Sequence, residues 1–145
     1  MSLFSHVEAP FLAWLRVPIS DELSQKYQTF GIYGLDGGVQ YEIEVAKYKH
    51  DFVPPFGRLG KTLVLVGLEM NDENQRKGHG TETCLRLWHH AQGEGFEAIH
   101  LQCAGTEGAI ALGQRLVASH GWKQGGNELC REFIRTSSVG TPVDG

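Results

Sequence analysis

The chain has no apolar run approaching the roughly 20 residues that a membrane-spanning helix needs. Its opening, Met-Ser-Leu-Phe-Ser, has no basic segment leading into a long apolar one, so no secretory signal is expected. Positive charge is not in excess: 13 Lys and Arg stand against 17 Asp and Glu, a formal net charge of −4. That balance disfavours sequence-independent binding to nucleic acid and allows a cationic or amine substrate. Cysteine is scarce. Cys84, Cys103 and Cys130 form an odd, widely spaced set, which argues against a disulfide framework and fits a reducing compartment, with cytoplasm as the expected location. No Cys-x-x-Cys or His-x-x-x-His spacing joins Cys84, His89, His90, Cys103 or Cys130, so no metal is expected. No repeat is visible. What remains is ordinary globular material: 145 residues, 41% hydrophobic, enough for one domain with a substantial core.

Along the chain, the apolar stretch Phe11 to Arg16 reads as a first strand, and Pro18 blocks its extension within a sheet. Ser20-Asp21-Glu22-Leu23 reads as a capped helix start, with the helix running to about residue 28. Residues 30–35 and 39–48, joined through Asp36-Gly37-Gly38, read as a hairpin. Within it, alternation sets Ile43 and Val45 on one face and Glu42 and Glu44 on the other. Residues 51–61 read as a loop broken by Pro54-Pro55 and two glycines. The β-branched run Thr62 to Met70 reads as a central strand covered on both sides. A helix over residues 80–92 places Thr81, Cys84, Leu85, Trp88 and Ala91 on one stripe. A strand at Ala98 to Cys103 follows. A second helix buries Ala109, Leu112, Gly113, Leu116 and Val117, and a last strand spans Asn127 to Arg135. Residues 1–135 form the expected domain and 136–145 a frayed, Ser/Gly/Pro-rich tail.

The most informative segment is Gln75-Arg76-Lys77-Gly78-His79-Gly80, set between the central strand and the helix. Gly78 and Gly80 let the backbone turn and approach a ligand closely. The N–H groups that open a helix have no partners within it, and the helix dipole adds positive charge there. A phosphate suits such a site, and Arg76 and Lys77 add two charges. Gly57-Arg58-Leu59-Gly60-Lys61-Thr62 imitates a P-loop. It fails on spacing, since Pro55 stands where glycine is needed, and it leads into a strand.

The pattern Gln75-x-x-Gly78-x-Gly80, after a strand and opening a helix, resembles the acetyl-CoA loop of the GNAT N-acetyltransferases. Gly93-Glu94-Gly95-Phe96, the strand after it, the second helix, and Gly121-Trp122 where the family usually has Gly-Phe extend the resemblance over Thr62 to Arg135. It implies an α/β (α+β type) domain: a mixed, mostly antiparallel sheet flanked by helices on both faces. It also implies acetyl-CoA as cosubstrate and direct acetyl transfer to a primary amine. The alternative is a CoA-binding sensor or interaction module with weak or no turnover. In the family, the central strand splays from its neighbour and pairs with pantetheine. By resemblance that edge is Leu68, Glu69 and Met70, with the Met70 N–H toward the thioester carbonyl. Gln75, Arg76, Lys77, Gly78, His79, Gly80 and Thr81 would hold the diphosphate.

Two candidates stand for the general base: His100, which titrates in the right range, and Glu69. Gln102 stands where some relatives carry a catalytic Glu, and a water chain to Glu42 or Glu44 is a further route. For the general acid, relatives often carry a Tyr in the second helix. Alignment from that helix start puts Gly113 there, and alignment back from Gly121-Trp122 puts Val117 there. Neither donates a proton, which leaves solvent, Ser119 or His120. The acceptor pocket is expected from Tyr33, Tyr41, Glu42, Glu44 and residues 52–58. The expected partner is a small-molecule or peptide amine, with no nucleic acid and no membrane; a homodimer is compatible with the sequence.

Overall fold

The computed structural model describes residues 8–19, 27–36, 39–70 and 79–137. The elements, in chain order, are α1 (Glu8–Arg16), β1 (Tyr27–Asp36), β2 (Val39–Tyr48), β3 (Asp51–Val53), β4 (Gly57–Leu59), β5 (Thr62–Met70), α2 (His79–Gly93), β6 (Ala98–Ala104), α3 (Glu107–Ser119), β7 (Lys123–Gly126) and β8 (Arg131–Thr136). Six strands form one sheet in the order β1-β2-β5-β6-β8-β7, and β3 and β4 form a separate hairpin. Within the large sheet, β5 and β6 run parallel and every other neighbouring pair is antiparallel. This is the mixed, mostly antiparallel sheet that the sequence implies.

The expected first strand is a helix. Phe11 and Leu15, four residues apart, lie on one face of α1 and are fully buried, and each contributes about 1.5–3 kcal/mol by leaving water. Pro10 falls in the first turn, where its missing N–H costs nothing. Glu8 ties that turn to α2 through His90 (2.7 Å) and Arg86 (3.0 Å). At the other end, the buried Lys47 of β2 sends its Nζ to the carbonyls of Trp14 (2.5 Å) and Val17 (2.7 Å) and sits 4.6 Å from the Trp14 ring centre. It thus satisfies C-terminal carbonyls that the helix leaves open. Burial, with Lys61 adding to it, pulls the Lys47 ammonium down to about 8. Lys47→Ala is expected to cost about 2–3 kcal/mol in urea denaturation, since charge-assisted hydrogen bonds and buried methylenes go together. Faster amide exchange in residues 11–16 would accompany it.

The helix expected over residues 20–28 lies outside the described residues, except that Tyr27 and Gln28 already belong to β1. The β1–β2 hairpin is present, with Asp36 paired to Val39. The expected loop at residues 51–61 folds into the β3–β4 hairpin, its turn at residues 54–56.

The central strand is covered on both faces, as its continuous apolar run requires. Leu63 and Leu65 enter the main core with Ile43 and Val45 of β2 and Ile99 and Leu101 of β6. Phe11 and Leu15 of α1, Cys84, Leu87, Trp88 and Ala91 of α2, and Leu112 and Leu116 of α3 close the same core. All three described helices therefore pack on one face. The other face buries Thr62, Val64 and His100, and there the β3–β4 hairpin reaches across through Asp51. Helix cover of that second face is not found among the described residues. In α2 the buried stripe is centred on Cys84, Leu87, Trp88 and Ala91, with Thr81 and Leu85 at its margin. In α3, Val117 is 37% exposed and lies off the buried stripe.

Cys130 is disulfide-bonded, and Cys84 is a buried free thiol pushed up to about 12 by burial. This corrects the expectation from cysteine spacing. Cys130 precedes β8, which the sheet sets beside β6, and distance along the chain carries no sign of that. The cysteine count therefore gives no support for a reducing compartment. No described helix is long and apolar enough to cross a membrane.

Candidate functional site

The site begins where the sheet comes apart. β5 and β6 pair over four rows, Thr62–Ala98, Leu63–Ile99, Val64–His100 and Leu65–Leu101, and no further. Beyond that row β5 continues to Met70, paired with β2 alone. Each strand also breaks register at this point. On β5, Val66 is an extra residue, because Leu65 faces Val45 while Gly67 faces Glu44. On β6, Gln102 and Cys103 lie between the Leu101–Phe133 and Ala104–Arg131 pairs and together face Glu132 alone. A bulge bends its strand and increases the local twist, so two bulges on facing strands turn them apart. The result is a gap whose β5 side, residues 66–70, offers backbone amides and carbonyls without a strand partner. An unpaired strand edge of this kind can accept an extended guest as an added strand. Val66, at the bulge, is 43% exposed.

The strand that opens this gap leads toward α2. Residues 71–78 lie outside the described residues, so Gln75, Arg76, Lys77 and Gly78 carry no structural account. His79 and Gly80 open α2. Gly80 takes up helical backbone and not the turn that the sequence suggests. Thr81 follows in the first turn, where its hydroxyl accepts from Arg115 Nε at 3.5 Å. The first turn of α2 thus carries a glycine and is tied to α3.

His100 lies in the zipped half, on the hairpin face. Its Nδ1 meets Asp51 Oδ2 at 2.8 Å, and its Nε2 meets Glu132 Oε1. The histidine side chain is 4% exposed, Asp51 9% and Glu132 12%. Burial pulls the imidazolium down, but the hydrogen bonds to Asp51 and Glu132 and their charges outweigh it, so the pKa ends above the ordinary histidine value. An imidazolium that donates from both nitrogens has no lone pair for a substrate proton. The geometry makes His100 a buried clamp joining β3, β6 and β8. Glu69, the other base candidate, pairs with Glu42 across β5 and β2 within the open segment.

The general-acid positions sort by place along α3. Thr106 caps the helix, its hydroxyl accepting from the Ala109 N–H at 3.1 Å, close to the open end of β6. Gly113 sits mid-helix against the fully buried Phe133, and a Cβ there would lie 2.3 Å from the ring. The fold therefore excludes a tyrosine at that position. Ser119 and His120 lie at the far end. The His120 carbonyl accepts from Arg135, whose strand partner is Ile99 in the zipped half of β6. Neither residue reaches the gap. Of the expected acceptor-pocket residues, Tyr33 pairs with Glu42 and Gly34 with Tyr41, while Glu44 is exposed and faces Gly67, the first paired row past the bulge.

The chain is similar in structure to an acetyltransferase from Bacillus cereus ATCC 14579: TM-score 0.51, 12% identity, over 92% of this chain and 90% of that one. The chain shares the fold of that acetyltransferase. An acetyltransferase of the GNAT family from Staphylococcus aureus Mu50 shows a fainter likeness, with TM-score 0.40 and 10% identity over 68% of each chain. No family model matches the chain, and no curated protein matches it. In this fold the two bulges forfeit ladder hydrogen bonds in the middle of the sheet, and the gap between β5 and β6 opens where they fall.

Proposed function

We propose that the protein is an acetyl-CoA-dependent N-acetyltransferase that moves the acetyl group directly to a primary amine, small-molecule or peptidic. The observation that carries this reading is the parting of β5 from β6 after Leu65 and Leu101. The pantetheine arm would lie along residues 66–70, with Leu68, Glu69 and Met70 supplying backbone groups and Met70 N–H polarising the thioester carbonyl. Residues 75–81 would hold the diphosphate on the helix N-terminus. The thioester is already activated, so the protein's task is alignment and proton removal.

Thermal shift and calorimetry with acetyl-CoA test the binding half. Ligand at 100 times its dissociation constant adds about 2.7 kcal/mol of stability, and no shift at millimolar acetyl-CoA or CoA would overturn the proposal. Gly80→Asp sets a carboxylate against the diphosphate. It is expected to weaken acetyl-CoA at least about 100-fold, since like charges brought together cost several kcal/mol, while the urea midpoint of the free protein changes little. Release of free CoA thiol with a panel of primary amines tests transfer. The sequestered His100 and the filled space at Gly113 favour a second reading, a CoA-binding module without turnover. Binding with no amine-dependent thiol release would select it.

A further inference from the structure

The row that opens the gap has an unusual composition. Across β1, β2 and β5 it reads Gly31, Glu44, Gly67. Glu44 thus stands between two cross-strand neighbours that have no side chains. In a sheet, directly opposed side chains normally cover one another, and the two residues paired with Glu44 in this row have none to offer. Among the described residues, a Cβ built at Gly67 would find only Glu44 within 4 Å outside its chain neighbours, with Oε1 at 3.8 Å and Cβ at 3.9 Å. The carboxylate therefore leans beside β5 at a bare backbone position, one residue past the bulge. The gap begins on the far side of that strand, about 4.8 Å being the distance between adjacent strands. Glu44 shares the sheet face of His100, which the clamp withholds from proton transfer, and its own carboxylate is exposed.

We infer that Glu44 is the residue that receives the acceptor amine and takes its proton. This rests on the acyl-transfer reading above. The amine nitrogen attacks the thioester carbon, forming the N–C bond as the carbonyl π pair moves onto oxygen. Collapse of that intermediate breaks the C–S bond and expels the thiolate. The nitrogen becomes strongly acidic as it bonds to carbon, so a carboxylate suffices to remove its proton, directly or through one water. Glu44 then passes the proton to bulk water, and the thiolate takes one from solvent. With no side chain at Gly67, β5 presents only backbone at that row between the carboxylate and the gap. A negative charge at this place also selects for acceptors carrying positive charge near the reacting nitrogen.

The test compares wild type with Glu44→Gln and Glu44→Asp. Acetyl-CoA affinity is read by calorimetry, and thiol release is read with spermidine, L-lysine, tyramine and ethanolamine as acceptors. Glu44→Gln is expected to keep acetyl-CoA affinity and thermal stability, lose about 10²- to 10⁴-fold in kcat, and lose the acid limb of its pH profile. Glu44→Asp, with the charge kept and the reach shortened, should fall between. Spermidine and L-lysine, which keep a second positive charge, should outpace ethanolamine in the wild type. Wild-type kcat in Glu44→Gln would overturn the inference and leave the acetyltransferase reading standing. Acetyl-CoA binding without amine-dependent release in the wild type would overturn both transfer and this role, and absence of acetyl-CoA binding would overturn the proposed function at its root.

Discussion

Replacing His100 with alanine is expected to destabilise the protein by about 3–5 kcal/mol, the range for removing one partner from a buried charge pair. Two carboxylates, Asp51 and Glu132, share that one ring. Without it each keeps its burial and loses the cation between them. Urea denaturation at neutral pH reads the loss. His100→Ala combined with Glu132→Gln should cost less than the sum of the two single changes, because the second removes a charge that the first strands. The clamp also sets a pH dependence. The folded-state pKa of His100 is raised, so the folded protein holds a proton that the unfolded chain releases as pH rises. The stabilisation is complete below the unfolded histidine pKa near 6.5, and it is lost as pH climbs through the folded value. Between the two, stability should fall by up to about 1.4 kcal/mol per pH unit. His100→Ala should flatten that slope, and a wild-type stability that rises over the same window would contradict the clamp.

Gly113→Ala is expected to destabilise the fold by about 2 kcal/mol despite the better helix propensity of alanine. Propensity favours the change by about 1 kcal/mol. Against it, the new Cβ would lie 2.3–2.5 Å from three carbons of the Phe133 ring. Phe133 is fully buried opposite Leu101, and overpacking of this kind typically costs 1–3 kcal/mol and sometimes more. A drop of about 4–8 °C in the melting midpoint corresponds to this loss in a chain of this size. Phe133→Leu should recover part of it in the double variant. Gly113→Tyr, which forces a whole ring into the same space, is expected not to fold. Gain of stability in Gly113→Ala would show that α3 stands farther from β8 than the structure places it.

These two positions mark where reading the sequence stops. Gly113 appears from the sequence as one small residue on a helical stripe; its ring neighbour is 20 positions away. His100 appears as a histidine on a strand face, and its two carboxylates come from a mini-hairpin and from the last strand. Sequence spacing carries local information: the β1–β2 hairpin closing at Asp36, the central apolar strand and both later helices were readable. α1 was not, because nine residues are too few to separate the two periods for an apolar run; the Phe11–Leu15 spacing and the proline in the first turn were the available signs. Register was not readable either. The bulge at Val66 and the Gly31–Glu44–Gly67 row exist only once three strands have been aligned.

The four-row seam between β5 and β6 has a mechanical consequence. It is the only ladder through which β1, β2 and β5 are joined to β6, β8 and β7 among the described residues. The sheet is therefore built as two leaves on a short spine, joined at one end and parted at the other. A guest threaded along the free end would act as a missing rung for both leaves, so occupancy would be felt in the stiffness of strands that never touch it.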